Sequence, residues 1–359
     1  MRLRLWPALL LCIFLAAPVL GSAVGEGAEP VSSMMFDDEP GKFYNYCPSC
    51  IQTSPDERVI FYCKNRDAGR IVDSIYMRKA VLDKGVWIWG EQSLALKHGD
   101  AGWDAIHVCD PDVKKGRFLM DGHEYSWVMF FLATDQANNN HNQIGVAFAD
   151  SIDGSWVKWA GNPLITSSSL ENWGVGQPSA VSLDQVGKFL LFYSGVDSAT
   201  TLAFREIDLS DMSTPQIGPA ISVASRGLTE ADGGGTNFFH NVGVALDEKT
   251  GNLYAVRERG PAPKENPTFI SSQVQVAFAP IQDVLAGTGI WTVDGNVTPA
   301  ESGRPRNHNA AILTDPYGML AGGQEGYELA YSAADMGFNH LWSYRLYDIK
   351  RENLSRDDD

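Results

Sequence analysis

Apolar residues in this chain gather in short runs cut off by polar turns, with almost nothing at helical spacing. Trp87-Ile88-Trp89, Tyr125 to Leu132, Lys188 to Tyr193 and Leu341 to Tyr347 are dense in aromatic and aliphatic side chains and of strand length. Asp121-Gly122, Asp153-Gly154 and Lys249-Thr250-Gly251-Asn252 supply the turns between such runs. One helical turn is predicted, Pro280-Ile281-Gln282-Asp283-Val284-Leu285-Ala286 closed by Gly287, as a connection between strands.

The runs come back in groups. Gly102 to Val113, with Asp110-Pro111 opening its strand, is followed by Tyr125 to Phe131, then by Ile144 to Asp150 and a turn ending at Trp156. The phrase returns at Tyr46-Cys47-Pro48-Ser49, Gly176-Gln177-Pro178-Ser179, His240-Asn241-Val242-Gly243 and His308-Asn309-Ala310-Ala311, each time with a second apolar run behind it. Units of roughly 50 to 75 residues that each yield a small antiparallel sheet predict an all-β, five-bladed β-propeller. The repeat starts put the blades at about 39–100, 101–165, 166–225, 226–300 and 301–351, as one domain over 39–351. The segment around Phe43 to Tyr46 is a candidate outer strand for the last blade. Each unit opens on a polar residue at the head of an apolar strand, so five polar starts are expected to converge at one end of a central channel.

The ends of the chain read differently. Arg2 and Arg4 precede an apolar run from Leu5 to Ala17, and Gly21-Ser22-Ala23 offers small residues for cleavage, so residues 1–23 read as an export signal. That places the protein outside the cytoplasm, secreted or periplasmic. Residues 24–38 read as a flexible leader and 352–359 as a frayed acidic tail. The formal net charge is −16, which disfavours nucleic acid and anionic membranes as partners. No later run is long and apolar enough to span a bilayer, and nothing specifies an oligomeric state.

Cys47, Cys50, Cys63 and Cys109 remain after cleavage, and an oxidising compartment favours pairing. If Ile51 pairs with Tyr62 across a turn at Pro55-Asp56-Glu57-Arg58, Cys50 faces Cys63, and this is the predicted disulfide. Cys47 and Cys50, three apart on one strand, face opposite sides.

The Trp103-Asp104 loop, the Asp110-Pro111 start, Ile144-Gly145-Val146-Ala147 with Asp153-Gly154-Ser155-Trp156, and the Gln177-Pro178-Ser179 start together resemble the five-bladed propeller glycoside hydrolases of family 43 and its relatives. The resemblance covers most of the chain and is strongest from Gly102 to Gly195. It implies inverting hydrolysis by three carboxylates at the starts of the first three blades, with no organic cofactor, acting on an oligosaccharide or polysaccharide. Aligned on the following proline, those positions hold Cys47, Asp110 and Gln177, so one carboxylate of three is in place. Glycosidic cleavage needs a proton donor and a carboxylate that activates water. Asp110 is therefore expected to act as base or orienter, with Glu258, in Arg257-Glu258-Arg259, or Glu171 as the acid. The alternative is a propeller that binds carbohydrate without cleaving it. The resemblance also implies one calcium ion near the channel axis, supported by His308.

Further candidates surround these. Trp103 and Trp173 precede strand starts and can stack on a sugar face, whereas Trp87, Trp89, Trp127 and Trp156 read as packing. Asp104, His107, His141, Gln177, His240, Asn241, Arg257, His308 and Asn309 are candidate sugar contacts, as is the amide-rich loop from Gln136 to Gln143. Gly233-Gly234-Gly235 lacks the helix and Lys of a phosphate loop, and neither a zinc-type spacing nor a serine nucleophile elbow is present.

Overall fold

The computed structural model describes residues 32–37, 44–65, 71–195, 202–236, 239–321 and 326–351. The proposed export signal, part of the leader and the tail lie outside the described residues. The architecture is a five-bladed β-propeller, as the repeats predict: five antiparallel sheets, four built from consecutive strands and the fifth completed by the first strand of the described chain.

β1 (Ser33–Met34) comes first. Blade one holds β2 (Asn45–Ser54), β3 (Glu57–Asn65), β4 (Asp73–Asp83), β5 (Val86–Trp89) and β6 (Ser93–Leu96), and blade two holds β7 (His107–Met120), β8 (His123–Thr134), β9 (Gln143–Ala149) and β10 (Val157–Lys158). Blade three holds β11 (Val175–Ser182), β12 (Lys188–Gly195), β13 (Leu202–Asp208), β14 (Gln216–Ile217) and β15 (Ile221–Ser222). Blade four holds β16 (Gly243–Asp247), β17 (Asn252–Arg259), β18 (Gln273–Pro280) and β19 (Thr292–Val297), with α1 (Ile281–Leu285) linking the last two as expected. Blade five holds β20 (Arg306–Ile312), β21 (Tyr327–Ala334) and β22 (Arg345–Arg351). Its outer strand is β1, Ser33 pairing with Asp348 and Met34 with Tyr347, so the ring is closed from within the leader; of the segment expected there, Phe43 lies outside the described residues and Asn45 and Tyr46 belong to β2.

The innermost strands β2, β7, β11, β16 and β20 contact one another in cyclic order. Between each pair of neighbouring blades lies a separate apolar core, because each sheet must bury both faces and meets a sheet on either side. Phe118, Phe130 and Phe148 of blade two meet Phe189 and Leu191 of blade three. The seam between blades five and one is the leanest, with Cys50, Ile60, Tyr62, Leu313, Ala321, Ala330 and Leu346 as its buried apolar residues. Met35 and Phe36 of the leader pack against that seam, Phe36 lying 5.2 Å from Tyr62 and 5.7 Å from Trp89 between ring centroids.

The cysteine pairing differs from expectation: Cys63 is bonded to Cys109, and Cys50 and Cys47 are free and buried. The cause is register. The β2–β3 turn is tighter than expected, with Ser54 opposite Glu57, so Cys50 faces Ile60. A bulge after Tyr46 then places Cys63 opposite Tyr46, at the rim of the sheet, where the second blade begins.

Candidate active site

The five blade starts are built by one backbone device. Cys47, Asp110, Gln177, Asn241 and Asn309 all have positive φ, between 39° and 53°. In blades one, two, three and five the inner strand is bulged at this residue, one extra residue standing between paired neighbours: Tyr46/Ser49, Cys109/Asp112, Gly176/Ser179 and His308/Ala310. Such a bulge re-aims a side chain that would otherwise alternate between sheet faces. The left-handed conformation suits Asp and Asn, whose short side chains tolerate it, and suits Cys and Gln less well.

The freed backbone N–H of a start is accepted by a second-strand residue of the preceding blade. Cys47 N–H donates to Ser332 Oγ (3.0 Å), Asp110 N–H to Cys63 Sγ (2.9 Å) and Asn241 N–H to Ser194 Oγ (3.1 Å). All five starts line one axial cavity of about 60 Å³, together with Ser49, Cys50, Asp112, Lys114, Ser179 and Thr314. Below the starts, Lys114 Nζ donates to Asp112 Oδ1 at 2.5 Å, and Asp112 Oδ2 accepts the Ala180 N–H at 2.6 Å. This buried pair carries charge along the channel wall with its partners satisfied.

Asp110 is half-buried, and burial pushes its carboxyl up to about 6, with Asp73 and Glu258 adding to the rise while Cys47 and His308 oppose it. Glu258, on β17, is buried. Burial alone would raise its pKa, but His308, His240 and Asn241 outweigh that and hold it below the usual carboxylate value. Asn241 Nδ2 donates to Glu258 Oε1, and His308 Nδ1 meets the same oxygen. His308 also lies tilted against Tyr344, 6.0 Å between ring centroids. His240 meets Trp173 edge to face at 5.3 Å, and Gly176 leaves room for that indole, since a Cβ there would stand 2.9 Å from it.

Asp110, Gln177, His240, Asn241, Glu258, His308, Asn309 and Trp173 therefore come together, and the other candidates stand apart. Trp103 packs into the core between blades one and two, 5.7 Å from Phe131, filling the space a side chain at Gly145 would need. Asp104 is buried against Lys158. His107 faces Asp73 at 3.7 Å, and burial lowers its pKa. Arg257 is buried and donates to the Glu258 and Thr229 carbonyls and to Gln275 Oε1, which makes it a brace behind Glu258. Burial lowers its pKa to about 10. His141 pairs with Asp135 at 2.9 Å in the amide-rich loop. Glu171 is exposed, its carbonyl accepting from Asn140 Nδ2 at 2.7 Å, so the amide loop and the loop leading to Trp173 are tied together.

Two features escaped the sequence. Asp73, at the head of β4, is fully buried, its pKa raised by burial, and it accepts hydrogen bonds from Tyr44 (2.7 Å) and Tyr46 (2.9 Å). Cys47, Cys63 and Cys109 form a buried floor with Leu132, flanked by Tyr46 and Trp173. The matching Cys47-Pro48 and Asp110-Pro111 starts were the available signal for Cys47; nothing local to Cys63 or Asp73 marked them. The donor set here does not suit calcium, which takes six to eight oxygens: His308 is engaged by Glu258, and sulfur dominates beside Asp110.

No protein-family model and no curated protein sequence matches the chain. Solved structures do. Zg3597, a family 117 glycoside hydrolase from the marine bacterium Zobellia galactanivorans, superposes with a TM-score of 0.59 at 14% identity, covering 91% of each chain. A GH43_1 enzyme from Xanthomonas citri gives 0.54 at 15% identity, over 89% of this chain and 90% of that one. The α-L-arabinofuranosidase PaAbf62A from Podospora anserina, solved with cellotriose, gives 0.54 at 12% identity, over 91% of this chain and 96% of that one. The resemblance carried by the Asp110-Pro111 and Gln177-Pro178 starts is thus borne out at the level of fold: this chain is a five-bladed β-propeller of the kind seen in glycoside hydrolases.

Proposed function

We propose that the protein is an exported glycoside hydrolase acting on oligosaccharides or polysaccharide-derived glycosides, with its site at the converging blade starts. The observation that carries the reading is that two carboxylates in opposite surroundings serve one ring of starts: Asp110 stands on the axial cavity with its pKa raised by burial and by Glu258, while Glu258 is held low by His308, which also opposes the rise at Asp110. Two carboxyl groups whose surroundings push their pKa values apart divide into donor and base. Asp110, half-buried and inclined to keep its proton, is assigned the proton donation to the leaving oxygen. Glu258, held ionised by His308 and Asn241, is assigned the activation of water. This reverses the roles expected from the sequence: His308 of the next blade holds Glu258 low, while burial raises Asp110.

Gln177, Asn309 and His240 offer polar groups for hydroxyls, and Trp173 an aromatic face. Glycoside hydrolases among the structural neighbours and their oligosaccharide complexes support a carbohydrate ligand. Export is supported by the N-terminal signal pattern and by the Cys63–Cys109 disulfide, which fits a secreted or periplasmic location.

A second reading, binding without cleavage, is favoured by Cys47 and Gln177, neither of which performs carboxylate chemistry. A screen of aryl-glycosides and glycans with wild type, Asp110→Asn and Glu258→Gln decides between them. Turnover lost in both variants supports hydrolysis, binding without turnover in wild type supports the second reading, and turnover unchanged in both variants removes the assignment.

A further inference from the structure

We propose that Cys47, Cys63, Cys109 and Asp110 form a binding site for a thiophilic divalent cation, Zn²⁺ in kind, alternative to the Cys63–Cys109 disulfide. The geometry of the four residues stands without the sugar chemistry proposed above, but the two share Asp110, and a bound ion would take that carboxylate out of proton donation.

The four residues come from β2, β3 and the head of β7, and one ligand-type atom from each lies within 4.8 Å of all the others. Asp110 Oδ1 stands 3.0 Å from Cys109 Sγ and 4.0 Å from Cys63 Sγ. A tetrahedral ion with sulfur at about 2.3 Å and oxygen at about 2.0–2.2 Å has ligand–ligand edges of roughly 3.5–3.8 Å, a size the cluster can take within its 4.8 Å span once the Cys63–Cys109 bond is opened. Three sulfurs and one carboxylate are a soft donor set, which selects zinc-like ions over calcium or magnesium.

The surroundings match what a metal shell needs. Cys47 Sγ accepts from Asn309 Nδ2, Cys63 Sγ accepts from the Asp110 N–H at 2.9 Å, and Tyr46 Oη lies 2.9 Å from Cys109 Sγ. Hydrogen bonds onto sulfur fix the ligand orientation and hold the thiolate charge. Asp110 is half-buried at the axial cavity, which gives an ion a way in.

Disulfide and metal exclude each other, since the bond consumes two of the three sulfurs. Opening it takes two electrons and two protons from a dithiol reductant, which becomes a disulfide, and leaves Cys63 and Cys109 as thiols. Binding then displaces three protons from Cys47, Cys63 and Cys109 to solvent, with Asp110 coordinating as carboxylate.

The test uses the chain with Cys12, the fifth cysteine and part of the proposed export signal, replaced as Cys12→Ser, reduced with a phosphine and titrated anaerobically with Co²⁺, whose sulfur-to-metal charge-transfer and ligand-field bands report tetrahedral thiolate ligation. One Co²⁺ per chain, displaced by Zn²⁺, is expected in the reduced protein and none at this site in the oxidised protein. Cys47→Ser and Asp110→Asn are each expected to weaken binding by about 100-fold, one ligand of four being lost from a site of zinc-finger strength. Cys50→Ser should bind as the background does. No thiolate bands in the reduced background protein, or equal bands in Cys47→Ser with its fold confirmed by circular dichroism, overturns the proposal. So does a dependence on Cys50.

Discussion

The two sides of the axial ring share a backbone and differ in chemistry. On the side of blades one and two, Cys47 and Asp110 stand over a floor of sulfur, with Asp73 buried behind them. On the side of blades four and five, Asn241, His240, His308 and Asn309 surround a single ionised carboxylate, Glu258. Positive φ is shared by all five starts, so conformation does not choose between Cys, Asp, Gln and Asn. Asn is a comfortable residue in that conformation and Cys is not, which means Cys47 is held against backbone preference and its side chain is where its purpose lies. One side thus keeps a carboxyl proton up to about pH 6, well above the ordinary range, and the other holds a negative charge.

The comparison is put at greatest risk by removing one carboxylate from each side. Asp110→Asn and Glu258→Gln should each lower kcat/KM on an aryl-glycoside by about 10²–10⁴-fold, the range for a lost general acid or base. A large loss in one and none in the other would show that only one side does chemistry.

Removing the sulfur floor comes next. The Cys63–Cys109 bond spans 46 residues, and its loss in the Cys63→Ser/Cys109→Ser double variant should cost about 2–4 kcal/mol in denaturant unfolding. Equal stability would mean that the bond contributes chemistry alone.

The two carboxylates should also respond oppositely to pH. Asp110, raised from its ordinary value to about 6, favours folding fully at low pH, and that contribution fades as pH rises through about 6. Glu258 is depressed, so its contribution is present above its unfolded value and lost as pH falls through its folded value. Asp110→Asn is therefore expected to stabilise the protein at pH 8 relative to pH 5, by about 1–2 kcal/mol. Glu258→Gln should destabilise it at pH 8, where a neutral amide oxygen replaces the charged acceptor of His308 and Asn241. Parallel pH profiles for the two variants would erase the distinction.

The smallest expected effect concerns the mouth. Trp173→Ala should weaken glycan affinity by about 2–10-fold through the lost aromatic contact, measured by calorimetry, while Trp103→Phe should leave affinity unchanged. The reverse result would move the sugar face to the blade one–two side.

The propeller was legible because its signal is repeated: a strand start, followed by proline or alanine in four of the five units, then two apolar runs, five times over. The starts themselves were legible for the same reason, and Asp110, Gln177, Asn241 and Asn309 do line the axis. What was not legible depends on register and on contacts between blades. Cys63 reaches the axis through a bulge and a tight turn that shift its partner from Cys50 to Tyr46. Glu258 sits between two arginines in the chain, yet its electrostatics are set by His308, fifty residues on. Trp103 precedes a strand start much as Trp173 does, but Gly145 opens a core space for the one and Gly176 an axial space for the other.

The two-residue pairing of Ser33 and Met34 with Tyr347 and Asp348 makes a clasp, and it fastens the seam with the least apolar packing. A ring fastened that way has a preferred place to come apart. Tension applied through the chain ends, or a peptidase cutting just beyond Met35, would part the fifth blade from the first while the other four seams still held. Because Cys47 stands on one side of that seam and His308 on the other, the first loss would be the pocket rather than the fold.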